Sequence, residues 1–253
     1  MLECHKLSVP GRVQAFTTHL SAGSRVHLIG PNGAGKTSLL ARIAGMLDGG
    51  GSVTLAGQPL EGLTGMQLAR LRGYLYQQSI PVSAMPVFQY LSLHQPACAD
   101  PALLEQTIMM LTSALHLQDK LSRPVTRLSG GEWQRVRLVA ILLQVWPKLN
   151  PQARLLLLDE PMNSLDVAQQ QALDGLITQF CASGRTAIIS DHDLNHTLHY
   201  AHQVWLMDKG QVVAAGKRQD VMQVNYLNAV FGVNFQVHEV AGRQWLITTI
   251  LEN

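Results

Sequence analysis

Charge is scarce in this 253-residue chain: Asp, Glu, Lys and Arg make up 14% of it and sum to a net +2. So small a balance offers no basic tract for a polyanion, and nucleic acid is not expected as a partner. Cysteine is scarcer still. Cys4, Cys98 and Cys181 are odd in number and far apart, which excludes a disulfide framework and a cysteine metal site. Reduced thiols in a cytosolic setting are expected. No apolar run reaches the roughly 18 residues of a membrane span. Met1 to Lys6 lacks the apolar stretch of a secretory leader. The sequence has no CxxC, and its one HxxxH, His192 to His196, is not read as a zinc set. His192, His196 and His199 share helical spacing, but the sequence around them suits a different role. Internal repeats and low-complexity linkers are also missing.

What is present is apolar. Hydrophobic residues make up 47% of the chain, which rules out disorder and supports one large α/β domain or two small ones. Arg25 to Ile29 reads as a strand running into a glycine loop, and Ser38 to Gly45 as the helix after it. Gly51 to Gly57 reads as a strand closed by glycine. From about Pro81 to Asn150 helical patterns dominate, interrupted by Pro86, Pro96, Pro101 and Pro124. Arg154 to Leu158 is a solid apolar run, typical of a central parallel strand covered on both faces. Thr186 to Ser190 and Gln203 to Met207 are further strands, with a helix over Val167 to Cys181. Asn234 to Ile250 reads as a hairpin turning at Ala241-Gly242. Alternating strands and helices predict a mainly parallel sheet.

Three segments carry chemistry. Gly30-Pro31-Asn32-Gly33-Ala34-Gly35-Lys36-Thr37 fits GxxxxGK[ST]. Its glycines let backbone N–H groups crowd around phosphate oxygens, Lys36 reaches the β- and γ-phosphates, and the Thr37 hydroxyl suits Mg²⁺. The dipole of the following helix adds to the attraction. Leu155 to Leu158 ends in Asp159-Glu160: one carboxylate for Mg²⁺, the other placed as general base toward water. Leu128-Ser129-Gly130-Gly131-Glu132-Trp133-Gln134 looks like a second phosphate cradle. Ser129 caps a helix there, with Glu132 completing a capping box. Trp133, Val136, Ala140 and Leu143 recur on one face, leaving Arg135 and Arg137 elsewhere. A chain that binds one nucleotide needs one cradle, so the spare one is expected to serve another chain.

Together these segments resemble the ATP-binding cassette (ABC) ATPases over nearly the whole chain. The fold implied is a P-loop NTPase core with a mainly parallel sheet, an N-terminal antiparallel β subdomain and a helical subdomain. It divides as 1–77 with 151–253 for the core and hairpin, and 78–150 for the helical part. The resemblance makes Leu128 to Gln134 the family signature, with Ser129, Gly130, Gly131 and Glu132 on the partner's ATP. Gly30 to Thr37 and Ser38 bind the chain's own ATP. Thr37, Gln77 and Asp159 hold Mg²⁺, while Glu160, Gln77 and His192 are catalytic. Ser164-Leu165-Asp166 is the D-loop, with Asp166 its acidic member. Gln77 is preferred to Gln78 because it follows a strand. Two cassettes would pair head to tail as a homodimer, each ATP lying between one chain's P-loop and the other's signature.

Two departures stand out. Asp191 replaces the usual small residue before the switch histidine, His192. The segment Val9 to Gln14 has no aromatic residue to stack on adenine, which leaves Arg12 or Val13 there and implies weak adenine selectivity. Gly131 to Leu138, Met162 to Gln170, His192 to Leu198 and the long link Gln144 to Pro151 are similar to the ATPases of vitamin B12 (cobalamin) importers. That likeness implies ATP and Mg²⁺ as cofactors and two membrane permease subunits as partners. It implies a periplasmic binding protein acting indirectly, and a peripheral place on the cytoplasmic face of the bacterial inner membrane. Importers of iron-siderophores or haem are the alternative. The apolar stretch Ile80 to Phe88 either docks a permease helix or forms the helical subdomain's own core.

Overall fold

Strand and helix alternate much as the hydrophobic pattern requires. The structure is a computed structural model that describes residues 1–77, 84–97 and 99–249. Gln78, the stretch from Ile80 to Ser83, Cys98 and Ile250 lie outside the described residues, and so do the expectations that fall on them. The chain begins with β1 (Leu2–Val9), β2 (Val13–Leu20), β3 (Arg25–Ile29), α1 (Lys36–Ile43), β4 (Ser52–Leu55), β5 (Gln58–Pro59), α2 (Gly65–Leu71) and β6 (Arg72–Leu75). Helices α3 (Val87–Ser92), α4 (Pro101–Ala114) and α5 (Gly130–Val145) follow. Then come β7 (Leu155–Leu158), α6 (Val167–Ala182), β8 (Thr186–Ser190), α7 (Leu194–Tyr200), β9 (Gln203–Asp208), β10 (Gln211–Lys217), α8 (Arg218–Val221) and α9 (Val224–Phe231). The hairpin β11 (Asn234–Val240) and β12 (Arg243–Thr249) completes the order.

The central sheet runs β10-β9-β3-β8-β7-β6. Its β9-β3-β8-β7-β6 core is parallel, and only β10 pairs antiparallel at one edge. Every residue of β3, β7 and β8 is buried, as strands covered on both faces must be. Parallel pairing has a direct consequence for function. It brings the carboxyl ends of β3, β6, β7 and β8 to one edge, so the loops after them share one crevice. A separate antiparallel sheet, β2-β1-β4-β5, packs Leu2, Leu7, Leu20, Val53 and Leu55 with Leu39, Leu40 and Ile43 of α1.

Two prolines of the helical region sit at helix starts, where a missing N–H costs nothing. Pro86 precedes α3, and Pro101 occupies the first turn of α4 behind the Asp100 cap. Helix α5 departs from the single apolar face expected of it. Gln134 and Val136 through Ala140 are all buried, because β6, α2, α3 and α4 enclose it. Arg137 is therefore inside, bonded to the Tyr76 carbonyl and, at 3.1 Å, to Gln134 Oε1. Arg135 donates to the Leu115 and His116 carbonyls at 2.8 and 3.0 Å, satisfying the open C-terminus of α4. Cys4 and Cys181 are buried free thiols, and burial pushes them up to about 12 and about 11. No helix among the described residues is long and apolar enough to cross a membrane.

Candidate functional site

The loop between β3 and α1 is shaped by its glycines. Gly30 has φ +151°, and a Cβ there would lie 2.2 Å from the Met207 carbonyl oxygen. Gly35 has φ +101°, with the Arg12 carbonyl 2.9 Å from where its Cβ would be. Side chains at either position would force the loop off β9 or off the β1–β2 turn. Lys36 folds back under the loop and donates to the Gly30 and Pro31 carbonyls at 2.7 and 3.1 Å. Burial lowers its pKa, while the charges of Glu160 and Asp159 pull the other way.

The crevice beside this loop is a cavity of about 620 Å³. Asn32 through Ser38 line it from one side, Gln77, Glu160, Asn163 and His192 from the other, and Gly11, Arg12, Lys209 and Gly210 at the end. Of the residues expected to face one nucleotide within a single chain, Asn32 through Ser38, Gln77, Glu160 and His192 thus line one crevice, while Gly30, Pro31 and the buried Asp159 do not. A second cavity of about 410 Å³, lined by Ser8 to Gln14, Lys209 and Gly210, continues past Arg12. Among the described residues, neither lining contains Phe, Tyr or Trp.

Glu160 is the most heavily partnered side chain of the crevice. His192 Nε2 faces its Oε1 at 2.5 Å, and Asn163 Nδ2 donates to Oε2 at 2.7 Å. Gln77 Nε2 reaches Oε2 at 3.5 Å. Burial would raise this carboxyl, but the His192 and Asn163 bonds and the Lys36 charge outweigh it and hold the group below its ordinary value. Its backbone sits at φ +50°, the left-handed region that a non-glycine residue rarely adopts. The strained turn is pinned by Ser190, whose Oγ accepts the Glu160 N–H at 2.8 Å and donates to Asp159 Oδ1 at 2.5 Å.

Asp159 is 3% exposed, and its Oδ2 has no hydrogen-bond partner. A buried carboxylate oxygen left open beside a phosphate-binding loop is a fitting ligand for Mg²⁺, directly or through water. The hydroxyl of Thr37 and the amide of Gln77, both on the cavity wall, complete a set of hard oxygen donors.

One expectation shifts in detail, and two residues are new to the site. Gln77 does not follow β6 directly: the strand ends at Leu75, and Tyr76 intervenes. Asn163 and Ser190 join the site without any signal in the sequence, because only the folded turn shows them gripping Glu160 and Asp159.

The segment expected to form the second cradle stands apart from the crevice. Ser129 caps α5, accepting from Glu132 N–H at 3.2 Å, while Glu132 Oε2 accepts from Ser129 N–H at 2.8 Å. The Ser129 N–H bond, ahead of the other causes, lowers the Glu132 pKa. Ser129 and Gly130 are exposed at the surface turn, Gly131 and Glu132 are half-buried, and no residue of 128–134 lines the crevice that holds Lys36. Gly131 packs on the loop that carries Asp166: a Cβ on it would lie 2.8 Å from the Ser164 carbonyl oxygen. Asp166 itself caps α6, its Oδ1 accepting from Gln169 N–H at 2.8 Å.

The ABC transporter family model matches residues 13–163. A vitamin B12 import ATP-binding protein of Yersinia enterocolitica is 54% identical over 248 residues, 98% of this chain and 98% of that protein. One from Escherichia coli O157:H7 is 50% identical over 239 residues, 94% of each. Among solved structures, an ATP-binding subunit of an ABC transporter superposes with a TM-score of 0.79 at 24% identity, covering 92% of this chain and 93% of that one. An inward-facing putative metal-chelate type ABC transporter gives a TM-score of 0.76 at 21% identity over 99% and 98% of the two chains. These two share the fold. Matched by the family model over more than half its length, and half identical to curated members over nearly all of it, the chain belongs to the ABC transporter family.

Proposed function

We propose that this chain is the ATP-binding and ATP-hydrolysing subunit of an importer of vitamin B12. The observation that carries the hydrolysis is the Glu160 carboxylate, held ionised at the strand ends opposite Lys36 and the P-loop. The transported molecule rests on the likeness to vitamin B12 import proteins, since no cavity described above is placed to meet it. Cells deleted for this chain should lose cobalamin uptake and regain it on expression of the chain. Uptake that persists unchanged in the deletion would overturn the substrate.

In this reading the backbone amides of Gly33 to Thr37 and the Lys36 ammonium bind the phosphates of ATP. Thr37, Gln77 and Asp159 hold Mg²⁺, which neutralises phosphate charge when bound. Glu160 takes a proton from the attacking water, and His192 and Asn163 keep the carboxylate aimed and ionised until then. His192 then faces the γ-phosphate. Ser129 to Glu132 complete the site of a second copy in a head-to-tail homodimer. Residues 78–150 move as the helical unit that reports closure to two membrane permeases at the cytoplasmic face, with a periplasmic binding protein delivering cargo. Removing Mg²⁺ with EDTA should stop hydrolysis while nucleotide still binds. Asp159→Asn should raise the Mg²⁺ concentration needed for half-maximal turnover by about tenfold or more. Turnover indifferent to Mg²⁺ would remove Asp159 from that role.

The base end of the cleft makes a separate prediction. Base stacking on an aromatic ring is worth about 1–3 kcal/mol, and among the described residues no Phe, Tyr or Trp lines either cavity. Arg12 and Lys209 offer charge that any nucleobase can accept. GTP should therefore be hydrolysed with a kcat/KM within about fivefold of that for ATP. A preference for ATP of about a hundredfold would show a base-reading contact elsewhere.

A further inference from the structure

Beneath the crevice lies a buried ionic cluster that the hydrolysis described above does not use. It contains Arg25 and His27 of β3, Asp174 of α6, Asp191 in the loop after β8, and His196 and Thr197 of α7. The protons in it are fixed by the hydrogen bonds. An arginine N–H can only donate, so the 3.1 Å contact from Arg25 Nε makes His27 Nε2 an acceptor. The ring proton is then on Nδ1, which faces Thr197 Oγ1 at 3.0 Å and Asp191 Oδ2 at 3.2 Å. His27 is neutral, and burial pushes it down to about 4.

His196 is the opposite case. Its Nδ1 bonds Asp191 Oδ2, and its Nε2 lies 3.0 Å from both oxygens of Asp174. A carboxylate at each nitrogen requires a donor at each, hence an imidazolium. Burial opposes that charge, but the bonds and charges of Asp174 and Asp191 outweigh it and lift His196 to about 9. Asp174 also takes a bond from Arg25 Nη2. Two cations and two anions therefore balance inside the fold. His27, Asp191 and His196 approach as closely as cation ligands would. However, protons already occupy the ring nitrogens that face Asp191, so the set is a hydrogen-bonded lock and not a metal site.

The lock joins the elements that surround the nucleotide. Strand β3 ends at the P-loop, α6 begins behind the Asp166 cap, and Asp191 directly precedes His192. Asp191 is fastened by its N–H to the Leu28 carbonyl at 3.1 Å and by Oδ2 to His196. Its Oδ1 accepts the Asp193 N–H at 3.0 Å, so the residues on both sides of His192 are fixed. We propose that Asp191 is a positioning residue: clamped by His196 and His27, it sets the switch loop against β3 and α6 and so holds His192 on Glu160. The unusual carboxylate before the switch histidine is compensated locally and acts through its neighbour.

The lock has a pH signature. His196 has a pKa raised above its unfolded value. Its contribution is complete below about 6.5 and is lost as pH rises through about 9. The groups facing it are Asp174 from α6, Asp191 from the β8 loop, Arg25 and His27 from β3, and Asp193 and Tyr200 at the two ends of α7. Asp191 is held well below the carboxylate range: burial would raise it, but the His196 and His27 bonds prevail, so it stays ionised throughout this window.

This inference rests on His192 acting in hydrolysis, so the experiment includes His192→Ala. Steady-state ATPase of the full chain is measured from about pH 6 to pH 10 for wild type, Asp191→Asn, His196→Gln and the double variant. Asp191→Asn should lower kcat about tenfold, with the KM for ATP within about twofold. Its alkaline decline should begin about one pH unit lower, because His196 loses one of its two anions. The double variant should be no worse than the more impaired single one. Wild-type kcat and pH profile in Asp191→Asn would overturn the proposal. If that chain does not fold, Thr197→Val and His196→Gln decide instead: Thr197→Val should shift the alkaline limb and His196→Gln should abolish it, and an unmoved limb in both overturns the proposal. Full hydrolysis in His192→Ala would sink the reading of the site itself. Lost hydrolysis there beside a wild-type Asp191→Asn would sink only the lock.

Discussion

Glu160→Gln should bind ATP as wild type does and hydrolyse it about 10²- to 10⁴-fold more slowly, the share a positioned base contributes. The substitution keeps the shape and an amide oxygen for Asn163, which now donates to Glu160 Oε2 at 2.7 Å. It removes the one thing an amide cannot supply, a lone pair basic enough to accept a proton from water. The phosphate cradle is untouched, because Lys36 is anchored to Gly30 and Pro31 and not to Glu160. Equilibrium ATP binding and single-turnover hydrolysis, measured on the same preparation, separate the two effects. Turnover within about threefold of wild type would mean that another group activates the water, and His192, 2.5 Å away, would be the next to test.

Most of this site is legible in the sequence because its parts are local. A glycine loop followed by Lys36 and Thr37, an apolar strand ending in Asp159-Glu160, and a Ser129–Glu132 capping box are each read within about eight residues. The parallel sheet then adds what no local window contains. It sets the ends of β3, β6, β7 and β8 side by side, and so brings Gln77, Glu160 and His192 to one wall.

What stays hidden depends on long-range contact. Asn163 is a polar loop residue until the left-handed turn at Glu160 brings the two side chains together. Ser190 looks like the last residue of a buried strand, yet its hydroxyl joins Asp159 and Glu160. Arg137 carries a charge and so reads as solvent-facing. Its place inside comes from Tyr76, whose carbonyl it bonds and whose ring lies 5.1 Å from its guanidinium. Asp191 reads as a misfit because one of its partners is remote in sequence: His27 stands on β3, far earlier in the chain, and meets Asp191 only because β3 pairs with β8. Helix α2, with its Thr64–Gln67 capping box, is seven residues long and carries no functional motif to draw attention to it.

Ser129→Arg should abolish steady-state hydrolysis while each chain still binds ATP, and the manner of the loss tests the shared site. The crevice around Lys36 contains no residue of 128–134, so an arginine at 129 cannot reach the nucleotide of its own chain. It can only obstruct a second copy, whose phosphates would otherwise meet the amides at the start of α5. Closure of a two-fold dimer engages both sites at once, so one altered copy disables the pair. Mixing equal amounts of wild-type and Ser129→Arg chains, at fixed total concentration and with free exchange, leaves active only the wild-type pairs. Activity should then fall to about a quarter of the all-wild-type value, the square of the wild-type fraction. Chains that hydrolysed ATP singly would retain about half. A half-maximal result would place the whole reaction within one chain and return the α5 cradle to the role of an ordinary helix cap.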